Sequence, residues 1–294
     1  MDELKGPLRY PGSKAAFAPA FFEIAAKCEI DFNHIVEPYC GSAAISLYAL
    51  QKGICSSATL IEKDPLIYAF WYCVFNESDS LVELIKKTDI TLDTWFELES
   101  LRAIDSPDKE EIVRLGFAGL FFNRANYSGI IGAKPIGGMS QTSDYKIDCR
   151  FNKQDLIKRI ERLAKFGSGV EVVHGDAVGW LHLNNKIQDT LIYVDPPYFD
   201  QGRKLYRHYY ELSDHYDLYE ALSEIEVPWI LSYDKHHIIE LLYKNFNFIS
   251  LEFRYSSRMP KLVDELLISN VGFDAFSEGG VLRGLGKTLS KETA

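Results

Sequence analysis

The sequence lacks the features that would tie the chain to an oxidising compartment, a metal ion or a membrane. Its five cysteines are widely spaced and none forms a Cys-x-x-Cys pair, which favours a reduced, cytoplasmic setting with free thiols. Its seven histidines show no repeated ligand spacing, so we expect no bound metal. No apolar run is long enough to span a bilayer, and the first residues do not resemble a signal peptide. We therefore expect no membrane partner.

The chain also lacks an excess of positive charge. It carries 32 lysine and arginine residues against 42 aspartate and glutamate residues, a formal net charge of −10. This balance argues mildly against a nucleic-acid partner, because binding to phosphates needs positive charge. Net charge is a sum over the whole chain, however, whereas binding is local. The distribution of the basic residues therefore decides the question.

Apolar segments typical of strands alternate with helical segments toward both ends of the 294-residue chain. Parallel strands are predicted over residues 34–37, 58–62, 170–173, 190–194 and 229–232. Between the first two we predict a helix over 43–52, with Ser42 as its N-cap and Gly53 ending it. Two further strands, over 246–254 and 263–269, have no helix between them, which predicts a terminal antiparallel pair. The pattern indicates an α/β fold with a mostly parallel sheet.

The middle of the chain has helical or loop-like patterns and no strand pattern. Ser106 predicts the start of one helix there, and Asn152 predicts the start of another. Residues 126–148 are rich in glycine and polar side chains and are predicted to form a long loop, a feature that is often functional. The predicted division is an α/β domain, residues 1–66 and 167–294, and a helical insert domain, residues 67–166.

The motif with the most chemical content is Asp195-Pro196-Pro197-Tyr198, which follows the predicted strand 190–194. In open α/β sheets, ligands bind just beyond the carboxyl ends of the strands. The Asp195 carboxylate and the Pro196 carbonyl are two acceptors side by side, which suits an amino group with two donors. The Tyr198 ring offers a face on which a base can stack. An ordinary turn at the end of a strand is the alternative interpretation.

Two acidic residues end the first two predicted strands. Glu37 is followed by the tight turn Pro38-Tyr39-Cys40-Gly41, whose small residues would let the backbone pass close to a ligand. Because the turn lacks a Gly-x-Gly-x-x-Gly pattern, a small cationic ligand near Glu37 is a better fit than a pyrophosphate. Glu62 follows about 20 residues later, where nucleoside-binding α/β folds hold ribose hydroxyls. A plain turn and a solvated charge explain the two motifs equally well.

Two further segments have a possible ligand role and an ordinary alternative. The turn Arg9-Tyr10-Pro11-Gly12-Ser13-Lys14 precedes a helix, where Lys14 could meet a carboxylate or phosphate, although a surface loop is the simpler interpretation. Asp176 follows the strand 170–173 and could accept from an adenine amino group. It could equally be the N-cap of a helix.

Taken together and in this order, these motifs resemble those of the Dam-type, or D12 class, DNA adenine-N6 methyltransferases. The resemblance runs from Leu8 to about Asn270 and includes the late strand motif Val263-Asp264-Glu265-Leu266-Leu267. It implies a Rossmann-like S-adenosylmethionine methyltransferase sheet with a helical insert that recognises the target. The implied activity is transfer of a methyl group from S-adenosylmethionine to the exocyclic amino group of a flipped adenine at a specific DNA site.

The resemblance also implies roles for individual residues. The residues that would surround S-adenosylmethionine are Tyr10, Lys14, Glu37, Tyr39, Gly41, Glu62 and Asp176. Among them Lys14 would approach its carboxylate, Glu62 its ribose and Asp176 its adenine. The catalytic residues would be Asp195 and Pro196, which hold the target amino group, and Tyr198, which stacks on the target base.

DNA contacts are expected in the insert and next to the catalytic tetrapeptide. The resemblance implies a DNA-contacting turn in the insert that contains Arg124, Asn126 and Tyr127. The chain lacks the Arg-Tyr-Asn run found after this turn in members that read GATC, which predicts a different recognition site. Basic residues also cluster after Tyr198, in a basic loop (Arg203, Lys204 and Arg207), and again around Arg258. We expect both clusters to contact backbone phosphates of double-stranded DNA.

Two other functions fit the same motifs. One is methylation of RNA or of another amino group, which would use the same tetrapeptide. The other is a DNA-binding protein that has kept the fold and lost turnover, against which the retained Asp195, Lys14 and Glu37 argue. For a DNA methyltransferase we expect a cytoplasmic, nucleoid-associated monomer. A cognate restriction endonuclease would act separately.

Overall fold

In the computed structural model of the chain, which describes residues 6–10, 12–199, 209–255, 261–273 and 289–290, the strands pair into one sheet. The strands are β1 (His34–Glu37), β2 (Ser57–Glu62), β3 (Val170–His174), β4 (Thr190–Val194), β5 (Trp229–Asp234), β6 (Asn247–Tyr255), β7 (Lys261–Ser269) and β8 (Leu289–Ser290). Their order across the sheet is β3-β2-β1-β4-β5-β7-β6-β8. The first five are parallel, and β7 is antiparallel to both β5 and β6. The predicted α/β fold with a terminal antiparallel pair is confirmed.

Ten α-helices lie in the described part of the chain. They are α1 (Ala18–Lys27), α2 (Ala44–Lys52), α3 (Pro65–Asn76), α4 (Ser78–Lys87), α5 (Leu92–Glu99), α6 (Ile112–Ala125), α7 (Lys153–Leu163), α8 (Ala177–Leu183), α9 (Leu212–Ser223) and α10 (His237–Leu242). None of these described helices has both the length and the apolar character needed to cross a membrane.

Successive residues of the central strands alternate between the two faces of the sheet, and both faces are buried. Ile35 and Leu191 belong to an apolar cluster with α1, α2 and the helices of the middle segment. Val36 and Ile192 belong to a second cluster, with α8, α9 and α10. Burial on both faces is what makes the parallel strands read as continuous apolar runs.

The helices of the middle segment share their core with the first face of the sheet. Trp71 of α3 and Phe121 of α6 are fully buried in the same cluster as Ile35 and Leu191. Glycine allows close packing of α3 against α6, because a Cβ at Gly119 would lie 2.3 Å from the Leu66 carbonyl oxygen. The division into an α/β domain and an insert stays a prediction.

The structure corrects two of the predicted helix starts. The helix predicted to begin at Ser106 begins instead at Ile112, and Asp108 accepts from the Glu110 amide in a local turn that competes with the helix. Ser42 is not the N-cap of α2, because the preceding turn continues through Ala43, which is left-handed with φ 50°. Asn152 does cap α7, accepting from the Asp155 amide at 3.1 Å.

Candidate active site

A cleft opens at the carboxyl ends of β1 and β4, the two neighbouring strands from which the sheet order runs in opposite directions. This is the position at which open α/β sheets bind ligands. The cleft brings together eight of the residues singled out in the sequence, which are Tyr10, Lys14, Glu37, Tyr39, Gly41, Glu62, Asp176 and Asp195. Their arrangement around one cleft at one edge of the sheet is as expected, whereas their individual roles stay predictions.

The turn after β1 is held from three sides. Gly41 has φ 42°, and a Cβ there would lie 2.8 Å from the Tyr10 ring, so this close approach requires glycine. The Gly41 amide donates to Glu62 at 3.0 Å, and the Gly41 carbonyl accepts from the Trp71 indole at 2.8 Å. Trp71 of α3 thus holds a turn that lines the cleft, a role that no sequence motif indicated.

Glu37 and Glu62 are buried carboxyl groups whose oxygens meet backbone amides. Glu37 accepts from the Ser46 amide in α2, and Glu62 accepts from the amides of Gly41 and Asp64. Burial raises the pKa of each to about 7, because a carboxylate loses its hydration inside the protein. The hydrogen bonds from the backbone amides act in the opposite direction, because they favour the ionised form and lower each pKa.

Asp176 is an N-cap, the second of the two interpretations that the sequence left open, and its role toward adenine stays a prediction. Its Oδ1 accepts from the amides of Val178 and Gly179, so it caps α8. Its Oδ2 lies 2.9 Å from Lys63 Nζ. Burial acts to raise the pKa of Asp176, but Lys63 and the two amides outweigh it and lower that pKa. The carboxylate also lines the cleft, where it remains an anionic acceptor.

Lys14 contacts the carboxylate of the tetrapeptide. Its ammonium lies 2.9 Å from both Oδ1 and Oδ2 of Asp195 and 3.1 Å from the Gly12 carbonyl oxygen. The lysine is only 5% exposed. Burial works against its charge, but the negative charges of Asp195, Glu265 and Glu37 raise its pKa. The predicted partner of Lys14 was the cofactor carboxylate, and the partner in the structure is Asp195.

The Tyr198 ring lies beside this ion pair. Lys14 Nζ is 5.0 Å from the ring centroid, and the Tyr198 hydroxyl donates to Glu265 Oε2 at 2.8 Å. Glu265 is fully buried in β7, at the motif that contributed to the family resemblance. Pro196 is buried between Asp195 and Tyr198. The tetrapeptide is therefore anchored by Glu265 of β7 as well as by Lys14.

Tyr210 is a further residue of the cleft that the sequence did not indicate. It lies ahead of α9, lines the cleft and meets the Tyr39 hydroxyl with its own hydroxyl at 2.5 Å. Burial raises the pKa of Tyr39 well above its usual value, so this phenol stays protonated. This aromatic pair had no local sequence signal, because Tyr39 and Tyr210 are far apart in the chain.

Two of the three residues predicted to contact DNA in the insert have structural partners instead. Asn126 is 0% exposed; its Oδ1 accepts from the Trp95 indole at 2.8 Å and its amide donates to the carbonyls of Ile130 and Ile131. Arg124 is half-buried and donates to the Pro7 carbonyl. These contacts argue against direct DNA contacts through either side chain. Tyr127, by contrast, is 68% exposed and available to a partner.

The same turn is bonded to the N-terminal segment that carries Lys14. Asn123 accepts from the Arg9 amide at 2.7 Å and donates to the Arg9 carbonyl at 2.9 Å. Gly129, with φ 78°, packs so closely that a Cβ there would lie 2.1 Å from the Arg9 carbonyl oxygen. The predicted target-recognition turn thus contacts Arg9, which precedes the cleft residue Tyr10 in the chain.

The remaining predicted DNA contacts, in the basic loop and at Arg258, lie outside the described residues. Within the described residues, no group of three or more histidine, cysteine, aspartate or glutamate side chains is arranged to hold a metal ion.

The chain is similar to one protein family and to several solved structures. A family model described as D12 class N6 adenine-specific DNA methyltransferase matches residues 10–257. No curated protein matches the sequence. Solved structures that resemble the chain include a proposed methyltransferase, yhhF, from Escherichia coli, with 15% identity, a TM-score of 0.36 and coverage of 88% of each chain. Another is a proposed RNA methyltransferase from Pyrococcus horikoshii, with 11% identity, a TM-score of 0.37 and coverage of 89% of this chain and 84% of that one.

Proposed function

The chain belongs to the D12 class N6 adenine-specific DNA methyltransferases, and on that premise we propose that it methylates the amino nitrogen of an adenine flipped out of duplex DNA at a specific site. The observation that carries the proposal is the anchored carboxylate of Asp195 beside the cleft at the strand switch point. An amino group reaching Asp195 from the cleft would meet an acceptor whose position is already set by Lys14.

The chemistry of the cleft fits S-adenosylmethionine, the methyl donor that the family implies. Its lining includes the acids Glu37, Glu62 and Asp176, which suit a ligand with a sulfonium, an ammonium group and several hydroxyl donors. We propose that Glu62 binds the ribose hydroxyls and that Asp176 accepts from the adenine amino group. Gly41, which has no side chain, would let the backbone pass close to the ligand. Bound there, S-adenosylmethionine supplies a methyl group already activated by its sulfonium charge.

The residues of the chain contribute orientation and electrostatics. The adenine amino nitrogen is a weak nucleophile, because its lone pair is delocalised into the ring. Hydrogen bonds from this amino group to Asp195 and to the Pro196 carbonyl favour a pyramidal nitrogen with a localised pair. Lys14 keeps the Asp195 carboxylate oriented through contacts of its ammonium with both carboxylate oxygens. Holding nitrogen and methyl group in line lowers the entropic part of the barrier.

Tyr198 would provide the surface for the target base. An adenine inside a duplex cannot reach Asp195, so the base must leave the stack at a cost of a few kcal/mol. Stacking on the Tyr198 ring would return ~1–3 kcal/mol of this cost. The hydrogen bond to Glu265 supports the proposal, since it fixes the ring beside the ion pair before any base arrives.

We further propose that the protein acts as a cytoplasmic, nucleoid-associated monomer on double-stranded DNA. The exposed Tyr127 would contact the duplex from the insert, and the basic loop and Arg258 would contact its phosphates. A restriction endonuclease of the same specificity, where one exists, would act separately.

Transfer of a labelled methyl group from S-adenosylmethionine tests the proposal. Wild type should label the adenine amino nitrogen in duplex DNA, and mapping of the modified sites should return a sequence other than GATC alone. Asp195→Asn should lower the rate by about 100-fold or more, because the neutral amide is a weaker acceptor for the substrate amino group. Asparagine is chosen over alanine because its amide oxygen can still accept from the buried Lys14.

The matched control is Asp108→Asn, which alters an exposed aspartate in the insert and should leave transfer unchanged. Label that appears in RNA and not in duplex DNA would contradict the proposed substrate. Wild type that binds DNA without transferring label to it would favour the non-catalytic alternative.

A further inference from the structure

Ser232 is a fully buried hydroxyl in the middle of β5, directly beside the catalytic tetrapeptide. Its Oγ lies 2.8 Å from Oδ1 of Asp195. The residue stands in the apolar strand Trp229–Asp234, where a serine has no local signature of function. It becomes a neighbour of Asp195 because β4 and β5 pair in parallel, with Val194 next to Leu231.

A second hydroxyl lies behind Ser232. The Tyr193 hydroxyl is 2.9 Å from Ser232 Oγ, and both groups are buried. Ser232 has one hydrogen to donate, and a carboxylate only accepts. The Val194 carbonyl is a competing acceptor at 3.5 Å, but the shorter contact to an anion is the stronger one. The hydrogen bonds therefore run from Tyr193 to Ser232 and from Ser232 to Asp195.

The direction of this relay is supported by the environment of Tyr193. Burial raises the pKa of Tyr193 well above its usual value, so the phenol keeps its proton and can donate a hydrogen bond to Ser232. The ring itself is held by an edge contact with Phe21, at 4.9 Å between centroids.

The hydrogen bond from Ser232 makes the two carboxylate oxygens of Asp195 inequivalent. Oδ1 accepts from Lys14 and from Ser232, which uses both of its lone pairs. Among the described residues Oδ2 accepts from Lys14 alone and so retains one lone pair. Without Ser232 the two oxygens would be nearly equivalent, and the carboxylate would have less reason to keep one orientation.

We propose that Ser232 is a positioning residue for methyl transfer, which occupies Oδ1 of Asp195 so that the target amino group donates to Oδ2, and that Tyr193 acts through Ser232. The inference rests on the proposed function, since it concerns the amino group which that function places at Asp195. Ser232 would not touch the substrate, and its effect would be on the chemical step and not on cofactor affinity.

Single-turnover methyl transfer with Ser232→Ala, Tyr193→Phe and the double variant tests this inference. Ser232→Ala should slow transfer roughly 10-fold or more, as loss of a hydrogen bond to a charged group would. The KM for S-adenosylmethionine should stay within about 2-fold of wild type, a change worth less than 1 kcal/mol. Tyr193→Phe should have a smaller effect, and the double variant should be no slower than Ser232→Ala, because the outer hydroxyl acts through the inner one.

Two further variants separate positioning from general stability. Ser232→Cys keeps a weak donor of similar size and should recover part of the rate. Ser269→Ala removes another buried serine of the same sheet, one that donates to the Trp229 carbonyl and accepts from the Val271 amide. That variant should lower the melting temperature without slowing transfer.

Three outcomes would each overturn a different claim. Wild-type protein that labels no adenine would overturn the proposed function. Wild type that labels adenine, together with a folded Ser232→Ala variant of equal single-turnover rate, would overturn the role of Ser232. If the fold-reductions in rate caused by Ser232→Ala and by Tyr193→Phe multiply in the double variant, Tyr193 acts independently of Ser232.

Discussion

Replacement of Lys14 by methionine should destabilise the protein strongly, because its ammonium is the buried counter-charge of Asp195. The two side chains are 4% and 23% exposed, and Lys14 is also close enough to Glu265 and Glu37 for their charges to raise its pKa. Removing one partner of a buried pair leaves an uncompensated charge and costs ~3–5 kcal/mol. For a protein of this size that corresponds to a fall in melting temperature of about 5–8 °C.

The double variant Lys14→Met/Asp195→Asn should recover much of this loss, because replacing both charges of a buried pair is often nearly neutral. Denaturant unfolding followed by circular dichroism measures both variants, and the difference should persist at high salt, since buried pairs are weakly screened. Lys86→Met is the control, because Lys86 pairs with Glu83 on an exposed helix surface and should contribute nothing measurable. A single variant as stable as this control, or a double variant no better than the single one, would refute the reasoning.

Three other predictions follow from the site and from the sequence. Burial raises the pKa of Glu37 and Glu62 to about 7, and a bound cation favours their ionised forms. Affinity for S-adenosylmethionine should therefore increase as the pH rises from about 6 to about 8. Calorimetry checks this dependence, which should be weaker in Glu37→Gln, and a flat wild-type profile would contradict it. Tyr198→Phe should slow methyl transfer more than Glu265→Gln does, because glutamine keeps an oxygen that can accept from the Tyr198 hydroxyl. Equal losses of rate in a transfer assay would contradict the anchoring role of that pair. Replacing Arg203, Lys204 and Arg207 of the basic loop by neutral residues should weaken binding to all DNA sequences alike. The slope of log affinity against log salt concentration should become shallower by ~0.9 for each lost phosphate contact. An unchanged slope in a binding assay would exclude the loop from the DNA surface.

The parallel strands of the sheet were predictable because their signal is local. The strands at 34–37 and 190–194 occur as expected, and the others differ by a few residues at their ends. Apolar runs separated by helical segments have few alternatives to a parallel sheet covered on both faces. The gathering of Gly41, Glu62 and Asp195 followed from the same pattern, since parallel strands present their carboxyl ends at one edge.

The two wrong predictions concern helix starts, at residues that have good partners in two different conformations. Ser42 and Ser106 are both acceptable N-caps by residue type, but the chain around each adopts a turn instead. Arg124 and Asn126 are polar residues in a segment expected to meet DNA, yet both satisfy backbone groups of the protein. The type of a residue shows whether its side chain can form a hydrogen bond. It does not show which partner the folded chain brings nearest.

By itself, the sequence determined the order of strands and helices, the edge of the sheet that carries the site, and the acidic and aromatic residues along it. These follow from periodicity and from the residues at strand ends, which act over a few positions of the chain. Only the tertiary structure decided that Lys14 meets Asp195, that Trp71 holds the Gly41 turn, and that Ser232 and Glu265 support the tetrapeptide. Those pairs are separated by 30 or more positions in the chain. Their contacts therefore depend on how strands and helices pack, since buried polar groups bond to whichever partner the fold brings within reach.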